Sequence, residues 1–483
     1  MPLMFLNTLS RRKEAFVPQV PGEARVYACG PTVYDYFHVG NARAFVVFDT
    51  LRRVLSRRGF KVTFVQNITD IDDKIINRAN KEGRKASDLA EEFTQAFRDD
   101  IAALGNLPAD ITPRATEHMP EIIAWVKKLI ETKHAYVLGG DVYFAVRSFA
   151  AYGKVSGKDI EELEEGARVE VDRRKKDPLD FALWKAAKPG EPSWESPWGL
   201  GRPGWHIECS AMSMKYLGDC FDIHGGGEDL IFPHHENENA QSEAVTGKPL
   251  ARIWLHNGHL NINGEKMSKS LGNFRIVRDI LGIMPREVLR LFLLSAHYRS
   301  PLDFNPENIE AMQKGFEEIW RTLGRLREVL AFSPEADTSF DPLVDAFQQG
   351  CLQSLTRFDL NLDEDMNTAG ALGELYSLAN QIKKLLAQKG FKFSERCREA
   401  LSRAQGQLLE MLEVFGVAVE LPQKTQAVLD LAKKRQAARQ QKDWPAADQL
   451  RLALEAAGFW VEDMASGAML VIPAALRITK ETV

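Results

Sequence analysis

Between His224 and Ala244 the chain reads His-Gly-Gly-Gly-Glu-Asp-Leu-Ile-Phe-Pro-His-His-Glu-Asn-Glu-Asn-Ala-Gln-Ser-Glu-Ala. Three consecutive glycines call for close backbone approach or positive φ. Pro233 suits the first turn of a helix. On that helix His234 and Glu238 stand four apart and share a face. An imidazole and a carboxylate on one face can bind a metal ion. The same residues also fit a solvated acidic helix start, where carboxylates favour the positive end of the dipole. The stretch by itself does not choose between the two.

Two further motifs could hold phosphates. Lys266-Met-Ser-Lys-Ser270 lies between Asn263-Gly264-Glu265 and Leu271-Gly272-Asn273, so Lys266 and Lys269 sit as mobile positive charges in a Gly-flanked loop. In His38-Val39-Gly40-Asn41, Gly40 lets a base or phosphate approach the backbone where a strand gives way to a helix, and a helix N-terminus favours anions. His38 can donate to a phosphate oxygen. Taken singly, an exposed basic loop and a capping or core histidine account for these motifs as well.

Alternating strands and helices must position these residues. Arg25–Cys29 reads as a short buried strand, Ala42–Arg58 as a helix ending at Gly59, Lys61–Gln66 as a second strand and Ile75–Leu104 as helical. That is a βαβ unit of a parallel sheet, whose ligands sit at the carboxyl ends of the strands, where Cys29, His38 and Asn67–Asp73 fall. Ala135–Arg147 alternates around Gly139-Gly140 as a hairpin. Ser148–Gly204 is polar, rich in Pro and Trp, and reads as an insertion. The pattern resumes with a helix over Trp205–Tyr216, a strand over Asp219–His224, a helix over Pro233–Val245 and a strand over Arg252–His256. Beyond Pro301, long amphipathic helices over Glu307–Phe332, Pro342–Phe358, Thr368–Gln388 and Glu395–Phe415 form a bundle. A basic helix follows Leu421-Pro422, then a helix over Pro445–Ala457 and two short strands in Gly458–Ile472 joined at Ala465-Ser466-Gly467.

Composition excludes several classes. With 483 residues, 45% hydrophobic and 27% charged, the chain has ordinary globular character and room for two to four domains. No apolar run reaches the ~18 to 20 residues of a membrane span. Met1–Arg12 lacks the apolar core of a signal peptide. Five scattered cysteines without a C-x-x-C pair fit reduced thiols in the cytoplasm. The net charge of −5 gives no global nucleic-acid signal, so such contacts must come from local patches.

The motifs in combination resemble those of class I aminoacyl-tRNA synthetases, and within that class the cysteinyl-tRNA synthetase family. The likeness is carried by Cys29-Gly-Pro-Thr-Val-Tyr-Asp35, His38–Asn41, Asn67-Ile-Thr-Asp-Ile-Asp-Asp-Lys74, Gly204-Trp-His-Ile-Glu-Cys209, His224–Glu238 and Lys266–Ser270. Phe358-Asp359, Asp363–Thr368, Lys442-Asp-Trp444 and Ala447-Asp448 extend it over nearly the whole chain. Asn41 stands where many class I enzymes carry a second histidine. The segment after Asp463 lacks the Gln-Gly-Thr and following Trp-Arg often found in the family.

The resemblance implies an α/β fold: a Rossmann-type catalytic domain in two halves (1–115 and 205–300) around a connective insertion (116–204). A helical bundle (301–420) and a small mixed anticodon-binding domain (421–483) follow. It implies one zinc ion on Cys29, Cys209, His234 and Glu238, with His235 in a supporting role. Zinc prefers a soft thiolate to a serine hydroxyl. Discrimination of ~10⁴, about 5.5 kcal/mol, could come from such a bond without an editing site. ATP with Mg²⁺ would bind through His38, Gly40, Asn41, Lys266 and Lys269, of which His38, Asn41 and both lysines would act in catalysis. Thr69, Trp205 and Asp229 would line the pocket for L-cysteine, although helix-start packing explains Trp205 equally well. Asp70, Asp72 and Asp73 read either as acids of a site or as a capping run. tRNA(Cys) would meet the basic run through Lys433, Lys434, Arg435 and Arg439, with Asp448, Arg451, Trp460 and Asp463 at the anticodon. The expected protein is a cytoplasmic monomer with no membrane partner. Two other readings stand beside it: a metabolic ligase joining cysteine to an amino sugar, and a non-catalytic RNA-binding paralogue. The basic C-terminal module speaks against the first, and the intact motifs against the second.

Overall fold

The computed structural model describes residues 2–160, 174–266, 275–336, 341–388, 391–463 and 469–474, with residue 266 described by its backbone only. The chain divides into two units, Pro2–Ile280 with Tyr298–Asp303, and Leu281–His297 with Phe304–Val483.

In the first unit, β1 (Met4–Asn7) and β2 (Arg12–Ala15) pair as an antiparallel ribbon. The central sheet is parallel and is built from β3 (Glu23–Ala28) and β4 (Lys61–Gln66) together with β9 (Phe221–Gly227) and β10 (Ala251–Asn257), in the order β10-β9-β3-β4. Helix Val39–Arg57 joins β3 to β4 and buries Phe45, Val46, Phe48, Leu51, Val54 and Leu55 at helical spacing. Each such side chain contributes ~1.5–3 kcal/mol on burial. The two βαβ halves meet where β3 pairs with β9, a topological switch point that opens a crevice at the strand ends. The doubly wound α/β architecture expected from the sequence is present.

The insertion is more regular than its composition suggests. β5 (Ala135–Leu138), β6 (Asp141–Phe144), β7 (Phe181–Ala186) and β8 (Gly201–Pro203) form one antiparallel sheet. Gly139 and Gly140 turn the expected hairpin with positive φ. Short strands β11 (Leu260–Ile262) and β12 (Glu265–Lys266) pair beyond β10. The helix expected over Ile75–Leu104 is two helices, Asp73–Glu82 and Ala86–Ala103. Gly83 ends the first in the left-handed conformation at φ 66°.

The second unit holds helices Arg286–Leu293, Pro306–Leu330, Pro342–Asp363, Thr368–Leu386 and Glu395–Val414. Their starts follow local signals: Asn305, Asp341 and Ser394 each cap an N–H, and Pro306 and Pro342 take the first turn. The second of the long helices runs five residues past the expected end at Phe358. Helices Gln426–Gln440 and Trp444–Ala456 pack with an antiparallel pair, β14 (Phe459–Asp463) and β15 (Met469–Pro473), around Val428, Ala432, Leu454, Phe459 and Val471. Strand β13 (Leu302–Phe304) pairs with β11 and completes the sheet β12-β11-β13. The expected joint at Ala465-Ser466-Gly467 lies outside the described residues. Gly324 admits the hairpin closely, since a Cβ there would lie 2.3 Å from Ile472 Cγ2.

Candidate metal centre and active site

The glycine run is explained by close approach, because Gly225, Gly226 and Gly227 lie inside β9, which is longer than expected. A Cβ on Gly225 would sit 2.0 Å from the Phe48 ring, and one on Gly226 would sit 2.9 Å from His235 Cε1. Between Ile231 and His235 the chain kinks at Phe232, which is extended at φ −136° and ψ 133°, and the α-helix proper starts at Glu236, three residues later than expected, and runs to Thr246. Glu236 and Glu238 have no exposed surface, which rules out the solvated acidic start.

Donor atoms of Cys29, Cys209, His234 and Glu238 lie within 4.8 Å of one another. Cys29 follows β3, whose backbone is held by its N–H donating to Gly225 O at 3.0 Å. Cys209 is on helix Trp205–Leu217. His234 Nε2 is 2.9 Å from Glu238 Oε1. A second set, Cys29, His224, His235 and Glu238, meets the same limit and shares two members. His224 Nε2 is 2.8 Å from Glu238 Oε2, and Cys29 Sγ is 3.2 Å from His235 Nε2.

Buried charges here control one another. A hydrogen bond from Cys29 leads the influences that push Cys209 down to about 6, while burial and its anionic neighbours push Cys29 up. Burial opposes charge on Glu238, yet His234 and His224 hold it well below its ordinary range. Burial likewise opposes charge on His234, but Glu238 and Cys209 outweigh it and raise the imidazole to about 10. His235 and His256 are driven neutral by burial, His256 to about 3. Two anionic donors, a second thiol and an imidazole, three of them buried and Cys29 half-buried, suit a divalent cation with a preference for sulfur and nitrogen.

Further histidines support the cluster, and the residue-by-residue reading missed them. His206 Nδ1 is 2.9 Å from His234 Nδ1, and His235 Nδ1 is 2.7 Å from His256 Nε2, whose Nδ1 meets Thr8 Oγ1 at 2.8 Å. Trp254 stacks on His224 at 4.4 Å. Such partners orient ligating side chains. The available signal was position: His224 and His256 lie towards the carboxyl ends of neighbouring parallel strands.

Two of the pocket candidates, Thr69 and Trp205, contact residues on the elements that carry this centre. Thr69 is buried and its hydroxyl donates to Glu208 at 3.1 Å. Trp205 stacks on the His234 ring at 4.1 Å, so it does more than pack a helix start. Asp229 is exposed, on a short turn against Gly227. Asp72 caps helix Asp73–Glu82, Asp70 accepts from Thr116, and Asp73 pairs with Lys185 and Arg202. His38 caps helix Val39–Arg57: Asn41 N–H donates to its Nδ1 at 3.3 Å, and Asn41 Oδ1 accepts from His38 N–H. With Nδ1 accepting, the ring proton is on Nε2. Lys269 and the side chain of Lys266 lie outside the described residues.

In the C-terminal unit, Lys433 and Lys434 are exposed on helix Gln426–Gln440. Arg435 is a correction to the basic-patch reading. It is buried and bonded to Asp463, which also takes Arg439 at 2.9 Å. Asp448 and Arg451 pair at 3.6 Å on helix Trp444–Ala456, and Trp460 lies under Arg321. Trp444, not singled out by residue type, is 54% exposed.

Comparison with known proteins agrees with this geometry. Residues 15–314 match the family described as tRNA synthetases class I (C) catalytic domain, residues 357–420 the DALR domain, and residues 405–467 the cysteinyl-tRNA ligase anticodon binding domain. The chain is 49% identical over 479 residues to a cysteine–tRNA ligase of Heliobacterium modesticaldum, covering 97% of this chain and 99% of that one. It is 50% identical over 474 residues to that of Symbiobacterium thermophilum, with 97% and 99% covered. Mycobacterium tuberculosis methionyl-tRNA synthetase bound by methionyl-adenylate superposes with a TM-score of 0.61 over 95% of this chain and 99% of that one, at 15% identity, a likeness of fold alone. The amino-sugar ligase and the non-catalytic paralogue find no support, since the relatives are cysteine–tRNA ligases along their whole length and an anticodon-binding domain is matched. Among the described residues no helix is long and apolar enough to cross a membrane. The chain belongs to the cysteine–tRNA ligase family of class I aminoacyl-tRNA synthetases.

Proposed function

We propose that this protein activates L-cysteine with ATP and Mg²⁺ and transfers it to tRNA(Cys), acting as a cytoplasmic monomer. The observation that carries the reading is the convergence of Cys29, Cys209, His234 and Glu238 within 4.8 Å at the β3–β9 switch point. These four residues would hold one zinc ion, which when bound supplies a soft acceptor for the substrate sulfur and not for a serine hydroxyl. The cluster also keeps Cys209 and Glu238 anionic before any substrate arrives.

The first reaction joins the cysteine carboxylate to the α-phosphorus of ATP and releases pyrophosphate. It needs alignment and charge stabilisation and no protein nucleophile. His38, presenting Nε2–H, Gly40 and Asn41 receive the phosphates at the start of helix Val39–Arg57, where N–H groups favour anions. Lys266 and Lys269 add positive charge to the same phosphates. Thr69 and Trp205 shape the amino-acid pocket, and Asp229 pairs with the substrate ammonium.

The second reaction passes cysteine to the terminal ribose. We assign 1–115 and 205–300 to the catalytic domain, 116–204 to its insertion, 301–420 to the bundle and 421–483 to anticodon binding. Lys433, Lys434 and Arg439 offer charge to the backbone, and the exposed ring of Trp444 suits stacking on an unpaired base. Asp448 and Arg451 supply polar groups for base edges, whereas the Asp463 carboxylate is already taken by Arg435 and Arg439.

Cysteine-dependent ATP–pyrophosphate exchange, followed by charging of tRNA(Cys) on protein with measured zinc, tests the reading. Exchange with cysteine but not serine, then charging, is the expected result. No exchange overturns it, and exchange without charging points to a small-molecule ligase.

A further inference from the structure

Helix Glu236–Thr246 is held from two sides. Glu238 faces the donor cluster. Glu236, two residues earlier and about 200° round the helix, faces the insertion and has no exposed surface. Its Oε1 accepts from Gly153 N–H at 2.9 Å, and its Oε2 accepts from Val155 N–H at 3.0 Å and Ser156 N–H at 2.7 Å. Beside it, Tyr152 Oη donates to Asn237 Oδ1 at 2.6 Å, and Lys154 pairs with Glu243. One short segment, 80 to 83 residues upstream of its partner, thus docks on the first turn of the helix.

The chemistry of this docking is unusual. Among the described residues no cation lies within salt-bridge reach of Glu236. Its buried charge is balanced by oriented backbone N–H groups, an anion nest. Gly153 makes the nest possible, with φ at 97° and with Lys158 O only 2.1 Å from where a Cβ would stand. Burying a carboxylate is costly unless it is hydrogen-bonded. An apolar residue could pin the segment as firmly by packing alone. Three directed bonds onto two oxygens do something more: they fix the rotation of the helix about its own axis.

We propose that Glu236 is a positioning residue for the metal donors and, through them, for the cysteine substrate. The nest of residues 153–156 sets the helix rotation and so the reach of His234 and Glu238 towards Cys29 and Cys209. This rests on the reading of the cluster as the zinc-dependent cysteine site.

Glu236→Gln turns one accepting oxygen into an amide that faces N–H donors. The test uses full-length, zinc-loaded protein and three quantities: the rate of zinc release to a colorimetric chelator, and KM for cysteine and for ATP in pyrophosphate exchange. Zinc release and KM for cysteine are expected to rise about tenfold each, with KM for ATP within about twofold. A merely structural role would move the two KM values together. Tyr152→Phe leaves the nest but removes the bond to Asn237, and should give about threefold effects in the same two quantities. If Glu236→Gln does not fold, Tyr152→Phe decides by the same criteria. Unchanged zinc release with unchanged KM for cysteine, or an equal rise in both KM values, overturns the proposal. If the wild-type protein shows no cysteine-dependent exchange, the functional reading fails instead, and zinc release alone tests Glu236.

Discussion

The carboxylate of Asp463 takes both guanidinium arms of Arg435 at 3.0 Å each, tying helix Gln426–Gln440 to strand β14. Chiefly through that bond, the carboxyl is held below its ordinary range. Arg435 is buried, so breaking the pair leaves an uncompensated charge inside the small C-terminal core.

The pair gives the C-terminal unit an acid limit. The folded carboxyl titrates below its unfolded value of about 3.9. The stability it contributes is therefore complete above that value and is lost as pH falls through the folded one. Asp463→Asn should abolish this acid dependence and cost ~1–3 kcal/mol of local stability at neutral pH. Hydrogen exchange over 426–474 reads both effects. Exchange rates equal to wild type at pH 7 would contradict the assignment.

Arg43 is the second test. It is fully buried and donates to the carbonyls of Gly258 and His259 at 2.8 Å each and of Ser300 at 2.6 Å. Burial lowers it only to about 10, so it remains charged at neutral pH. Its side chain ties the helix that begins beside His38 to the segment leading into β11. Arg43→Met strands three carbonyls and should cost ~3–5 kcal/mol, measured as a shifted denaturation midpoint with an unchanged slope. A loss under 1 kcal/mol, on the order of one ordinary hydrogen bond, would show that water replaces the guanidinium.

Gly225 provides a packing test. The Phe48 ring occupies the place of a Cβ there, so Gly225→Ala must displace the ring or split β9 from helix Val39–Arg57. Overpacking of this kind costs ~1–3 kcal/mol. The double variant Gly225→Ala with Phe48→Leu should recover more than the sum of the two single changes allows, because the sites touch. Strict additivity in thermal melts would place the strain elsewhere.

These residues show where sequence reasoning reaches. Helix starts at Pro342 and Glu395, and the start at Pro306 to within one residue, were legible because caps and prolines act within one turn. The break at Gly83 was missed, although a glycine that can end a helix with positive φ was the local signal for it. Arg435 could have been found, because Val428, Ala432 and Arg435 share a helix face, which puts it on the apolar stripe. The meeting of Cys29 with Cys209 was not legible from spacing and came from family resemblance. It depends on β3 pairing with β9 across the whole insertion. His224 and His256 needed the strand register, which places Trp254 opposite His224 and His256 opposite Gly226. Alternation gives a strand's faces but never its neighbour.

The donor cluster makes the sharpest prediction, because it separates sulfur recognition from phosphate handling. Cys209 carries the lowered thiol and His234 the raised imidazole, and neither is near the His38 cap in sequence or role. Cys209→Ser keeps the size of the side chain but replaces a soft donor with a hydroxyl that resists ionisation. His234→Ala removes one partner of Glu238 and leaves that carboxylate with His224 at 2.8 Å, Cys29 at 3.7 Å and His235 at 3.9 Å. Each should lower kcat/KM for cysteine by about 10²-fold or more while KM for ATP moves by less than about threefold. Zinc content should fall in parallel with cysteine activation, and added zinc should restore Cys209→Ser only in part. Equal losses towards cysteine and ATP, in protein that still melts cooperatively, would mean that the cluster holds the fold and does not read the substrate.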